Sequence, residues 1–241
     1  MEIKAHAKIN LSLDIVGERE DGYHLLRMIM QTLQLADILE VTVNDSGEIT
    51  VSSDSGAIPN DRSNLACKAA GLLKKEFQIK EGIDIVIHKN IPVAAGLAGG
   101  STDAAATLKA LDLLFELGLS EAELAERGVK IGADVPYCIY GGTMLSEGIG
   151  DRLSPLSPIK DIPVLLVKPA QSVSTEEVYK AYRDTPNIKH PETDKLIKEI
   201  NDTGSFDEKK LANVLESVTI PLVPEIEKVK SKMVEAGAFF S

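Results

Sequence analysis

The sequence predicts a mixed fold of strands and helices, long enough at 241 residues for two lobes. Three observations carry this expectation. Residues 5–16 alternate apolar and polar side chains, as a strand with two different faces does. From Ile83 to about Leu117 the chain reads strand, small-residue loop, helix. The Pro- and Ser-rich stretch Leu153 to Asp161 then offers a linker between two lobes.

The elements follow in order. In the opening strand Ala5, Ala7, Ile9, Leu11, Leu13 and Ile15 share one face, and His6, Lys8, Asn10, Ser12 and Asp14 share the other. That polar face suits either solvent or a cleft. Gly17 to Gly22 turns the chain, with Asp21-Gly22 as its tightest signal. Strand patterns recur at Leu39–Val43, Ile49–Ser52 and Ile83–Ile87. A helix over Asn64–Phe77, capped by Ser63, buries Leu65, Ala69, Leu72 and Leu73. A second helix runs to about Leu117 with Ala104, Leu108, Leu111 and Phe115 on one face, and a third covers Glu121–Lys130 and ends at Gly132-Ala133-Asp134-Val135-Pro136. Beyond the linker come a buried-type strand at Pro163–Val167 and a helix opened by a capping box from Ser174 to Glu177. The last helix places Leu222, Ile226, Val229 and Met233 together.

Composition narrows the function. At 44% hydrophobic and 26% charged the chain is of the soluble globular kind, and with no Trp and 4% aromatics its core is aliphatic. A net charge of -11 argues against nucleic acid as a partner, which needs clustered Lys and Arg. It leaves room for a phosphorylated small molecule, because backbone N–H groups bind phosphate in acidic proteins too. Cys67 and Cys138 are too few and too far apart for a disulfide scaffold or zinc cluster, which fits a reducing compartment. Met1 to Asn10 has no apolar signal region, and no run approaches the roughly 20 apolar residues of a membrane helix. A cytoplasmic protein without a membrane partner is expected.

The loop Pro92-Val93-Ala94-Ala95-Gly96-Leu97-Ala98-Gly99-Gly100-Ser101-Thr102 carries the first chemical signal. Its small side chains leave the backbone accessible, and glycine permits the positive φ angles that turn successive N–H groups inward. The following helix adds unpaired N–H donors and the positive end of its dipole. These features suit a polyphosphate, with Ser101 or Thr102 adding a hydroxyl toward a phosphate or its Mg²⁺. The spacing is neither that of a Walker A loop nor of a dinucleotide fingerprint. A tight turn that only brings helix and strand together would use the same residues.

Transfer of a phosphoryl group to an alcohol needs positioning, charge neutralisation and a proton acceptor. Asp134, between small residues and Pro136, is a candidate base, and Lys8 on the polar strand face is a candidate partner that would keep it ionised. Each also has an ordinary reading, a turn aspartate and a solvated strand lysine. Spacing alone does not bring them together.

Ala7-Lys8-Ile9-Asn10-Leu11, Asp21-Gly22-Tyr23-His24, the loop Pro92 to Asp103, and Gly132-Ala133-Asp134-Val135-Pro136 resemble, in this order and at these distances, the GHMP kinase superfamily. Within it they resemble the 4-diphosphocytidyl-2-C-methyl-D-erythritol kinase family. The loop indicates only the superfamily; the other motifs are specific to the smaller family. The resemblance covers nearly the whole chain and is weakest between about Ala181 and Ser217.

The resemblance implies a two-lobed α+β fold, with a nucleotide-binding domain over 1–153 and a ferredoxin-like substrate domain over 154–241, and the substrate in a cleft between the lobes. It implies transfer of the γ-phosphoryl group of ATP, with Mg²⁺, to the 2-hydroxyl of the cytidine-diphosphate-linked methylerythritol, in the non-mevalonate route to isoprenoid precursors. Asp134 then matches the catalytic base and Lys8 the catalytic lysine. Pro92, Val93, Ala94, Ala95, Gly96, Leu97, Ala98, Gly99, Gly100, Ser101 and Thr102 match the ATP loop. Asn10, Tyr23, His24, Thr175 and Tyr179 match substrate positions, with Tyr23 and His24 near the cytosine and Tyr179 an aromatic that sandwiches it.

The family carries a third Gly-rich motif after a Gly-Ala near the end of the last long helix. Here that pair is Gly237-Ala238 and the sequence ends at Ser241, so the second lobe is expected to be incomplete and to expose a sheet edge. Two rivals stand beside this reading: a sibling kinase for homoserine or mevalonate, which shares the loop, and a nucleotide binder without catalysis.

Overall fold

The structure, a computed structural model, describes residues 1–159, 162–171, 173, 175–182, 185 and 188–241, with Thr175 and Glu176 described by their backbone. The chain forms two compact units. The first contains Met1–Ile9 and Gln31–Gly142, the second Asn10–Met30 and Thr143–Ser241. Two long strands, β1 (Glu2–Glu18) and β2 (His24–Asn44), each contribute to both. The Leu153–Asp161 stretch begins inside the second unit, and Asp161 lies outside the described residues. The boundary at 153/154 remains a proposal about domains.

In the first unit β2 pairs antiparallel with β4 (Gly82–His88), from Ile38↔His88 to Asn44↔Gly82. β3 (Ile49–Ser53) pairs parallel with β4, and the connection between them is α1 (Leu65–Glu76), the crossover that a parallel pair requires. Ile83, Ile85 and Ile87 are all buried, as their alternation predicts. They pack in one aliphatic core with Leu39, Val41, Ala69, Ala70 and Leu73, and with Ala104, Leu108 and Leu111 of α2 (Gly99–Leu114). The cap of α1 is Asn64, whose side chain accepts from the Ala66 N–H at 2.9 Å. Ser63, the cap expected from sequence, bonds Asp61 instead. Leu65 and Leu72 are half-buried, whereas Ala66 and Cys67 are buried.

α3 (Glu121–Val129) opens with a capping box between Ser120 and Glu123. The segment expected to end it starts another helix, α4 (Val135–Tyr140), with Pro136 in its first turn, where a missing N–H costs nothing. α3 and α4 meet at Gly128. A Cβ there would lie 2.8 Å from Val135 Cγ1 and 3.3 Å from Ile139 Cδ1. Gly128→Val is therefore expected to lower stability by about 1–3 kcal/mol through overpacking, read as a lower urea midpoint by circular dichroism.

In the second unit β5 (Thr143–Gly148) and β6 (Arg152–Pro155) form an antiparallel hairpin. The helices are α5 (Thr175–Tyr182), α6 (Thr193–Thr203), α7 (Glu216–Leu222) and α8 (Glu225–Glu235). Leu196 and Ile200 of α6 pack with Ile29 and Leu211. The Asp21-Gly22 turn is present, with Gly22 at φ 85° and the Arg19 N–H donating to the Tyr23 carbonyl at 2.7 Å. The expected strand at Pro163–Val167 is not formed. No described residue pairs with its backbone, and Val164, Leu165, Leu166 and Val167 are exposed. An apolar run signals a strand only where a neighbouring strand supplies the ladder. In α8 Ile226, Val229 and Met233 share the half-buried face, but Leu222 belongs to α7 and is exposed. The capping box expected at Ser174 involves a residue outside the described ones. Among the described residues no helix is long and apolar enough to cross a membrane.

Candidate active site

The loop before α2 has an unusual backbone. Ala94, Gly96 and Ala98 take left-handed conformations with φ 55°, 72° and 59°. Alternating hands turn successive N–H groups to one side and form an anion-binding concavity. For alanine this conformation costs roughly 1–2 kcal/mol, and such strain is characteristic of functional loops. The helix begins earlier than its sequence suggests: Gly99 to Thr102 form its first turn and Ala98 is the cap. Helix geometry leaves the N–H groups of Gly99, Gly100 and Ser101 without an i−4 acceptor, whereas Thr102 donates to the Ala98 carbonyl at 2.9 Å.

The glycines divide the work. A Cβ at Gly96 would meet nothing within 4 Å, so a ligand has open access to the backbone. A Cβ at Gly99 would sit 3.2 Å from Lys89 Nζ and 3.4 Å from Ile91, so that glycine lets α2 settle onto what lies beneath. The Lys8 N–H donates to the Leu97 carbonyl at 3.2 Å and ties the loop to β1.

The polar face of β1 is exposed at His6 but covered farther along. Lys8 is buried at 6% exposure and Ser12 at 0%. Lys8 Nζ stands 3.6 Å from Asp134 Oδ2, so the two residues singled out separately in the sequence form an ion pair. Asp134 occupies the cap position of α4, yet its side chain makes no capping hydrogen bond. It keeps 37% of its surface exposed, which leaves it available to a ligand. A Cβ at Gly132 would lie 3.9 Å from Ser101 Oγ, so the loop's serine faces the turn that carries Asp134.

Thr102 and Cys138 are different. Thr102 is 3% exposed, and its hydroxyl is a hydrogen-bond partner of the Cys138 thiol. Burial, with the nearby Asp134 charge, pushes that thiol up to about 12, so it remains protonated. A cavity of about 200 Å³ borders Thr102, Cys138, His6 and Tyr137 but neither Lys8 nor Asp134. The Lys8–Asp134 pair is therefore not what that cavity serves.

Beneath the loop lies a group the sequence did not reveal. Lys89 Nζ bonds Asp37 Oδ2 and, at 3.0 Å, Asp103 Oδ2, and all three side chains are at most 5% exposed. Asp37 Oδ1 also accepts the N–H groups of Asn90 (2.6 Å) and Ile91 (2.8 Å), where the chain enters the loop. Asp103 stands in the helix that leaves it. The cluster thus anchors both ends. Burial would lower the Lys89 pKa, but the two carboxylates outweigh it and hold the ammonium charged.

In the second unit His24, at the start of β2, meets two rings of α5. Its centroid is 5.2 Å from that of Tyr179 at 30°, and 6.1 Å from that of Tyr182 edge-on. Tyr182 was not foreseen; it follows Tyr179 at the i+3 spacing that shares a helix face. Tyr23 stands apart at 63% exposure on the turn. Asn10 is half-buried on β1, and Thr175 opens α5 with its side chain outside the described residues. Among the described residues no group of three or more His, Cys, Asp or Glu side chains could hold a metal ion.

Residues 64–142 match the GHMP kinases N terminal domain. The whole chain is similar to proteins named 4-diphosphocytidyl-2-C-methyl-D-erythritol kinase. It is 49% identical to that of Clostridium tetani over 99% of this chain and 85% of the relative, and 49% identical to that of Bacillus pumilus over 98% and 81%. Among solved structures, a 4-(cytidine 5'-diphospho)-2C-methyl-D-erythritol kinase superposes with a TM-score of 0.83 at 33% identity, covering 98% of this chain and 84% of that one. Homoserine kinase from Cytophaga hutchinsonii shares the fold at a TM-score of 0.65 and 19% identity, covering 98% and 80%.

Proposed function

The chain belongs to the 4-diphosphocytidyl-2-C-methyl-D-erythritol kinases of the GHMP family, and from this we propose that it transfers the γ-phosphoryl group of ATP to the 2-hydroxyl of 4-diphosphocytidyl-2-C-methyl-D-erythritol. The observation that carries the chemical reading is the Lys8–Asp134 pair. Asp134 accepts the hydroxyl proton as the oxygen attacks the γ-phosphorus. Lys8, paired with Asp134, offsets charge on the transferring group. The N–H groups of the Ala94–Ser101 backbone hold the phosphates. In the second unit Tyr179 supplies a stacking surface for cytosine, and His24 reads its hydrogen-bonding edge. Asn10, Tyr23 and Thr175 are further substrate positions on this reading, and the enzyme works in the cytoplasm.

Mg²⁺ fits as an ion brought by the nucleotide: its ligands would be phosphate oxygens, and Ser101 Oγ would add a protein oxygen. Bound there it would neutralise phosphate charge.

The test is ADP release with Mg-ATP and each of three acceptors: the cytidine-diphosphate methylerythritol, homoserine and mevalonate. Turnover with the first alone is expected. Turnover with either of the others, and none with the first, would move the chain to a sibling activity. Binding of ATP with no ADP release from any acceptor would make it a binder. Tyr179→Ala is expected to raise the KM for the cytidine substrate roughly 5- to 150-fold, as loss of about 1–3 kcal/mol of stacking implies. The KM for ATP should stay within twofold, about the scatter of independent sites.

A further inference from the structure

The cluster beneath the loop has two carboxylates and one ammonium, so with both acids ionised it holds an unmatched negative charge. The two acids are not equally provided for. Asp37 has Lys89 on one oxygen and two backbone N–H groups on the other. Asp103 has Lys89 on Oδ2, and its buried Oδ1 has no hydrogen-bond partner. From α4 the neutral Cys138 thiol interacts with Asp103, and α1 approaches α2 at Gly100 through the apolar Leu65. A proton that balances the cluster therefore belongs on Asp103.

The position matters as much as the count. Lys89 Nζ lies 3.2 Å from where a Cβ of Gly99 would be, directly under the first turn of α2. A polyphosphate on the N–H groups of that turn meets the field of the unmatched carboxylate. This step rests on the loop being the nucleotide's phosphate site. We infer that Asp103 is a proton-linked positioning residue: nucleotide binding is accompanied by uptake of a proton on its carboxyl, and the Lys89–Asp37–Asp103 cluster is neutral when the loop is occupied.

Both protonation states are accessible near neutrality. Burial raises the Asp103 pKa most, Lys89 pulls it back, Asp37 adds to the rise, and the carboxyl titrates at about 7. The sign follows. Bound anion favours the protonated acid, so affinity is full below the pKa of the free protein and falls as pH rises through it.

Calorimetric titration of the full chain with MgADP at pH 8, in two buffers of different ionisation enthalpy, reads the proton directly. MgADP carries no titrating proton of its own at that pH. Uptake approaching one proton is expected, with an apparent Kd that weakens from pH 6 to pH 8 by up to about tenfold per unit. Asp103→Asn should bind with no uptake and with the same Kd at both pH values. Binding by the native chain without uptake overturns the inference, and that measurement does not depend on the variant folding. Equal uptake by Asp103→Asn overturns it too, by assigning the proton elsewhere. No binding heat at all sinks the reading of the loop itself, and the proton linkage with it.

Discussion

Asp134→Asn is expected to abolish measurable phosphoryl transfer while MgATP binding stays within a few-fold. Base catalysis of this kind is typically worth about 10²–10⁴ in rate, and an amide of the same shape cannot accept the hydroxyl proton at neutral pH. The structure makes the substitution clean. The Asp134 side chain caps no helix N–H and is 37% exposed, so Asn removes no structural bond from α4. The donors proposed for the phosphates lie on a different element, the backbone of the loop and the first turn of α2. A kcat from ADP release, beside a Kd for MgATP from calorimetry, separates the two effects. Turnover within tenfold of the native chain would mean that Asp134 is not the base. Loss of nucleotide binding would mean that its role is structural.

How much of this could be read beforehand depends on which interactions are local. The two faces of β1 were legible because side chains alternate along a strand. The burial of Lys8 and Ser12 on the polar face was not, since periodicity separates faces without saying what covers them. β4 was legible for the same reason, and the body of α2 from its helical spacing. The first half of β2 was missed because Met28, Ile29 and Met30 are buried in succession, which erases the alternation. α4, six residues long, is too short to show a helical period. The reverse error occurred at Pro163–Val167, where an apolar run had no described strand to pair with.

The same distinction governs the site. The loop's small residues and the Gly-Ala-Asp turn are local patterns, and both stand where the sequence put them. The contact between Lys8 and Asp134 joins opposite parts of the first unit, and only the fold supplies it. Lys89 and Asp37 left a weaker trace. A single acid in the apolar run Leu33 to Leu39 and a lysine just ahead of the loop are unremarkable alone, and their pairing rests on the β2–β4 register. Tyr182 was recoverable from its helical spacing to Tyr179.

The largest stability effect is expected from Lys89→Met. The side chains are close in volume, so the change removes mainly a charge, and it leaves Asp37 and Asp103 buried without Lys89. Breaking a buried ionic group on one side costs about 3–5 kcal/mol, a large share of the about 5–15 kcal/mol that holds a typical protein folded. Asp37 keeps two backbone donors, so the deficit falls mainly on Asp103, whose Oδ2 loses the Lys89 ammonium. Lys89 acts to lower the Asp103 pKa, and its removal drives an already raised value further up. A carboxyl whose folded pKa exceeds its unfolded value, about 3.9 for Asp, contributes stability that is fully present below the unfolded value and is lost as pH rises through the folded one. The deficit of Lys89→Met should therefore be largest near pH 8 and shrink toward pH 5, as read from urea midpoints at each pH. Lys89→Met combined with Asp103→Asn should regain much of the loss at pH 8, because it removes the carboxylate that the lysine neutralised. If the double variant is no more stable than the single one, the lysine serves by packing, and the charge balance beneath the loop is not what holds it.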